Sequence, residues 1–466
     1  MDFISNLMHK FSKKEDKKEG KEGKEGKEEK DKKEEKPGSN KDGSDESGTK
    51  KKGTLTLLDL ILMGLANIVG AGIFVILGKS IKYGGNKSLY ALLVVAFISF
   101  VMGFCYIEIY SRFKSSITEY LVVQDTLGEN VGQVTLYLVY LFALFGGVTI
   151  VISISKYLTA NGVLSQFGGS SLFQKCLSIF LLCIMSVINY MGIETSKIVA
   201  NTISIAMLLI LGTIILLSLR FISFENMVNG PAVPWDSFVL SAILSLFLFN
   251  GYDFIVKVSD ESVDPENNKV ALIATITITT LIYIAVIIAA LCVLKYKTAV
   301  STYNIITKLY EVLVSKNVAG IVFVIGAFIM ANTAFLSILS ATKFMQGLGK
   351  DKKIMFPEFW AASNKNGSPT NAIWFSLLIT ILLALLNNEV LMTVFCNTTC
   401  ILILGLISIS LLLKRWSERN DLDAQKMHNY IWGNISNIPL VVVANLGLLM
   451  YVMFVMIKDK FWIGKI

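Results

Sequence analysis

From Leu57 onward the chain is a near-continuous succession of apolar runs, each roughly 20 residues long and parted by short polar gaps. A run of that length crosses the hydrocarbon core of a bilayer as a helix. In hydrocarbon every backbone N–H and C=O needs a protein partner, which leaves very few ways to fold. We read about eleven such spans: Leu57–Gly78, Leu89–Tyr110, Val131–Leu158, Leu172–Tyr190, Ile198–Phe221, Phe238–Val258, Val270–Leu294, Val318–Met345, Ala372–Leu386, Val390–Leu413 and Ile431–Ile457. With 53% apolar and 17% charged residues and a mean hydropathy of +0.60, the chain is an all-α polytopic membrane protein.

The first span contains its own breakers: Gly64, Asn67, then Gly70-Ala71-Gly72-Ile73-Phe74. Gly and a bare Asn at mid-depth oppose a continuous helix. Unwound chain survives in the membrane only where it lines a cavity or binds something. Freed amides at a half-helix N-terminus suit an anion such as a carboxylate. Asn250-Gly251 interrupts the sixth span in the same way. Two interrupted spans in corresponding positions mark a candidate binding site at the midplane.

Charge is concentrated at the amino terminus. Residues 1–53 form a Lys/Glu/Gly-rich tail, in which the KEG repeats from Glu15 to Lys50 have no apolar content and are expected to be disordered. Phe3, Ile4, Leu7, Met8 and Phe11 share one face of a short helix, suited to an interfacial anchor or else merely part of a disordered end. Residues 54–466 form the transmembrane domain. The net charge of +8 comes with no nucleic-acid motif, so no nucleic-acid partner is expected. The six cysteines all lie in apolar segments and imply no disulfide framework, and the two histidines have no metal-ligand company. Without a nucleophile–base pair, no enzyme is read, and neither a cofactor nor a metal is expected. No cleavable signal peptide is visible. Lys and Arg in the short loops favour a cytoplasmic amino terminus, in a plasma or organelle membrane. Ahead of the eighth span, Tyr303, Ile306, Leu309, Tyr310 and Leu313 share a helical face, predicting an external amphipathic helix.

Five ordered segments together resemble the amino acid–polyamine–organocation superfamily. Gly70-Ala71-Gly72-Ile73-Phe74 is similar to its GAGIF break, and Tyr106-Ile107-Glu108 through Arg112-Phe113, with Glu119-Tyr120, to its second-span stretch. Asn189-Tyr190-Met191-Gly192 with Asn201 matches the fifth-span pattern, and Phe247-Leu248-Phe249-Asn250-Gly251-Tyr252-Asp253 followed by Asp260-Glu261 through Pro265-Glu266-Asn267 the sixth. Phe356-Pro357 and Gly367-Ser368-Pro369 complete the set.

The resemblance implies a five-plus-five inverted repeat (LeuT-like) fold of about 11–12 transmembrane helices, with the first and sixth broken opposite each other. It implies a secondary transporter of amino acids working by alternating access. A polyamine or organic-cation carrier of the same fold and an amino acid sensor without turnover are the alternatives. The substrate carboxylate is then expected at the amides of Gly70, Ala71, Gly72 and Ile73, and the ammonium at carbonyls near Val69 and around Phe247–Asn250. Phe249 and Tyr252, flanking Gly251, are expected to close over it. Met207 stands where many proton-linked relatives carry a Lys, so that coupling route is in doubt. Thr333 and Ser337 offer oxygen ligands for sodium, and Asp253 is the one acid at depth for a proton. Exchange of one amino acid for another, as in an antiporter, or else facilitated flux is favoured over ion coupling. Asp253 and Lys257, four residues apart, form either a local ion pair or part of an inner gate. Glu108, near its span's end, is expected to pair with a Lys or Arg. The loop from Thr159 to Ser171 has no Cys, so no covalent heavy-chain partner is expected.

Overall fold

The computed structural model describes residues 53–458, apart from 162, 163, 165, 167–169, 222, 224, 226–232, 295–297, 300–303 and 432. The expectations for the amino-terminal tail lie outside these residues. Each of the eleven expected spans overlaps helix, and nine helical stretches among the described residues are long and apolar enough to cross a membrane. The longest, Leu57–Phe113, comprises the first two spans, which turn at the 3-10 segment Gly85–Lys87. The ninth span is the short helix Thr370–Ala384.

Local chemistry sets the span ends. A capping box opens the first span: Thr56 Oγ1 accepts from the Asp59 amide at 3.3 Å while Asp59 Oδ2 accepts from the Thr56 amide at 2.9 Å. The seventh, Pro265–Val293, starts with Pro behind an Asp264 cap. Gly192, at φ 114, is the single residue between the fourth span, Ser171–Met191, and the fifth, Ile193–Leu219. A side chain there would be strained, which explains the glycine of the Asn189–Gly192 segment.

The first span packs against the fifth, the seventh and the eighth, Lys316–Lys350. The third, Glu129–Asn161, packs against the eighth and the tenth, Glu389–Ser417. The core thus surrounds the first span. Leu209 of the fifth span and Phe454 of the last are 66% and 59% exposed, which is unfavourable in water and ordinary against lipid. The amphipathic segment forms the helix Ile305–Leu313, with Ile305, Ile306, Leu309 and Tyr310 buried.

The last span differs most from expectation. Helix begins at Leu440 rather than Ile431, because residues 434–439 form a two-residue hairpin with Ser436 and Asn437 at φ 50 and 63. That left-handed pair is the geometry of a tight β-turn, to which Asn is well suited. The remaining 19 residues still reach about 28 Å.

Candidate functional site

The two interruptions meet side by side but are built differently. The sixth span is helical over Trp235–Phe249, extended at Asn250, turned at Gly251 with φ 116, and helical again over Phe254–Lys257. The first span never unwinds: helix Leu57–Ala71 passes into a π-helical turn, Gly72–Ile76, then helix Leu77–Gly84. The amides expected to be free are therefore partly engaged. The Ala71 N–H donates to Thr333 Oγ1 at 3.2 Å, and that hydroxyl donates to the Ala66 carbonyl at 2.7 Å. A hydroxyl from the eighth span that serves both an amide and a carbonyl removes the need for the backbone to open. Gly70 makes room for it, since a Cβ there would lie 1.8 Å from Thr333 Oγ1.

Asn67 joins the two interruptions. Its Nδ2 donates to the Gly251 carbonyl at 2.8 Å, and its Oδ1 accepts from the Ser337 hydroxyl at 3.2 Å. Tyr283 of the seventh span caps both backbones, its hydroxyl lying 3.1 Å from the Ile68 carbonyl and 2.8 Å from that of Leu248.

Around this junction lies a small cavity. Of the expected residues, Gly72, Phe247, Asn250, Gly251, Asp253 and Ser337 line it. Val69, Gly70, Ala71, Ile73 and Thr333 do not; Phe249 sets its ring edge-on to Tyr283, with centroids 5.5 Å apart. The lining also includes residues that sequence reasoning missed: Phe142, Ala143, Gly146 and Ile150 of the third span, and Cys396 of the tenth. In sequence, these apolar residues are indistinguishable from core. Asn250 Oδ1 accepts from the Cys400 thiol at 3.2 Å, leaving the buried Nδ2 without a protein partner.

A second chamber adjoins the first, sharing Phe142, Asn250, Gly251 and Asp253 and adding Tyr252, Lys257 and Glu119. Lys257 Nζ hydrogen-bonds Asp253 Oδ2 and lies 3.8 Å from Glu119 Oε1. The local ion pair expected from the i, i+4 spacing is thus present, extended by a second carboxylate from the helix Thr118–Leu127. Burial pushes the Glu119 carboxyl up to about 7 against the opposing pull of Lys257, with Asp253 adding to the rise. Glu108 meets its expected cations: Arg415 at 2.8 and 2.5 Å, and Arg112 at 3.0 Å. At the other end of the third span, Lys156 and Lys79 both pair with Glu389, at 3.6 and 2.8 Å.

A family model described as amino acid permease matches residues 55–461. The chain belongs to the amino acid permease family. The permease is 27% identical over 304 residues to a methylthioribose transporter of Bacillus subtilis, covering 62% of this chain and 65% of that one. It is 21% identical over 381 residues to the vacuolar cationic amino acid transporter 8 of Arabidopsis thaliana, covering 78% and 63%. To the branched-chain amino acid permease BcaP of Bacillus subtilis it is 23% identical over 343 residues, covering 70% and 72%. The permease thus spans just under two thirds of the length of the first two. These relatives are named as transporters, and with its nine long apolar helices among the described residues this family member is an integral, multi-pass membrane protein.

Proposed function

We propose that this permease is a secondary transporter of amino acids, alternating access around the cavity between its first and sixth spans, with its amino terminus cytoplasmic. The observation that carries this reading is the junction itself. Two interrupted spans are clasped through Asn67 and Gly251 beside a half-open space, the arrangement in which irregular backbone is tolerated at membrane depth. The substrate carboxylate meets the Gly72 side of the first span and the unpaired Asn250 Nδ2, and the ammonium meets carbonyls around the sixth-span interruption. Phe247 and Phe142 close over the rest.

We favour exchange over ion coupling. The Thr333 hydroxyl is already committed to Ala71 and Ala66, and Met207 is buried where a cationic coupling group would otherwise stand. A thioether carries no charge and binds hard cations poorly. Counterflow in proteoliposomes with labelled amino acids and polyamines tests the substrate class. Empty vesicles under separate sodium and proton gradients test the cycle. Amino acid flux only against internal amino acid is the expected result. Binding without flux would make the protein a sensor, and concentrative uptake driven by either gradient would overturn exchange.

A further inference from the structure

The charge inside the cavity is unusual for a site whose relatives include carriers of cations. Asp253 is the only carboxylate among the cavity-lining residues. An unpaired carboxylate at that depth would attract an ammonium or guanidinium strongly. Here the place of such a group is taken. Lys257, 2% exposed and one turn further along the sixth span, hydrogen-bonds the Asp253 carboxylate from below. Its ammonium is hemmed in by the Phe142 and Phe344 rings, 5.7 and 6.0 Å away, and by Glu119.

We infer that Lys257 is a built-in counter-ion that fixes the charge of the substrate: by occupying Asp253, it restricts this permease to amino acids with uncharged side chains and excludes cationic ones and polyamines. This rests on the transport reading above and narrows it. A cationic side chain entering the cavity meets a carboxylate already neutralised and a like charge one turn away. A diamine has no second acid on the lining to grip. The remaining lining points the same way. Phe142, Ala143, Gly146, Ile150 and Phe247 give the lining an apolar sector, which suits an uncharged side chain. The polar groups Asn67, Asn250 and Ser337 sit at the interrupted backbones, where the invariant part of an amino acid is held.

Counterflow of labelled leucine into proteoliposomes, with methionine, arginine, ornithine and putrescine as competitors, tests the assignment. In the wild type, methionine should compete and the three cations should not. Lys257→Met releases Asp253 and should lower the half-inhibitory arginine concentration, relative to methionine, by at least about tenfold. Adding Asp253→Asn should return that ratio to the wild-type value. Wild-type transport of arginine or putrescine on a par with leucine overturns the inference, as does a folded Lys257→Met protein with an unchanged ratio. Should Lys257→Met fail to fold, thermal stabilisation of the detergent-solubilised wild type decides: by leucine alone as expected, by arginine equally if the inference is wrong. Flux of no amino acid at all would overturn the transport reading, and this inference with it.

Discussion

The two interrupted spans of this permease reach similar positions by opposite means. In the first, the backbone stays wound, and a single π-turn absorbs the disturbance while Thr333 and Tyr283 satisfy neighbouring groups. In the sixth, four residues leave the helix and Gly251 takes a backbone angle that side chains avoid. The difference lies in what each neighbour supplies. A hydroxyl that both accepts and donates lets the first span remain closed. The sixth receives an amide from Asn67 at the Gly251 carbonyl and shares the Tyr283 hydroxyl at that of Leu248, while the Asn250 side-chain amide is left over beside a cavity. The sixth span is thus the irregular, cavity-lining partner, and the first its braced counterpart.

Substitution at the two glycines probes this contrast most severely. Gly251→Ala combines a strained φ of 116 with a Cβ 2.6 Å from Asn67 Nδ2 and 3.1 Å from the Asn67 carbonyl oxygen. Strain of that kind costs on the order of 1–3 kcal/mol, so transport should fall more than about tenfold. In Gly72→Ala the closest atom, at 2.9 Å, is the end of the flexible Leu248 side chain, and φ is an ordinary −56. That variant should lose less than about threefold in counterflow rate, in line with a modest repacking cost. Equal losses at both positions would erase the distinction.

Removing the brace comes next. Thr333→Val keeps shape but removes the hydroxyl that bridges the Ala71 amide and the Ala66 carbonyl, which should cost about 1 kcal/mol of stability. Thermal unfolding in detergent should register this as a lowered midpoint. A midpoint identical to wild type would mean that the π-turn needs no brace.

The smallest effect concerns pH. Facing Glu119 are Lys257, Asp253 and the Tyr106 hydroxyl, the last 3.4 Å away. With its carboxyl raised by burial to about 7, Glu119 is protonated below that pH and the cluster is neutral overall; above it the cluster carries one negative charge. The weak residual inhibition of leucine counterflow by high arginine should therefore be a few-fold stronger at a pH of about 8.5 than at about 6, while staying far below that by methionine. In Glu119→Gln the trend should vanish.

The spans were legible because bilayer thickness dictates their length, and the sixth-span interruption because Asn250-Gly251 has no other reason to sit in an apolar helix. The form of the first interruption was not. Whether Gly70–Gly72 unwinds depends on a threonine more than 260 positions away, and no local pattern reveals that hydroxyl's direction. The cavity wall was hidden for a related reason: Phe142 and Cys396 are apolar residues on long helices, and only packing tells lining from core. Glu119 stood in a recognised segment, but its meeting with Lys257 arises from the fold. The start of the last span was misjudged because Ile431, Ile435 and Ile438 extend the apolar run, while the hairpin angles at Ser436 and Asn437 leave no mark on hydropathy.

The short stretch ahead of the first span has a mechanical consequence. The Thr54 and Leu55 amides both reach the Glu261 carbonyl, at 2.8 and 2.9 Å, and the Val263 amide returns to the Leu55 carbonyl at 3.0 Å. Gly53 is pressed so close to this ladder that a Cβ would lie 2.0 Å from the Ser262 carbonyl oxygen. The lead-in to the first span and the exit from the sixth are thereby yoked. The two segments are tied by three backbone hydrogen bonds, so neither can shift alone without breaking them.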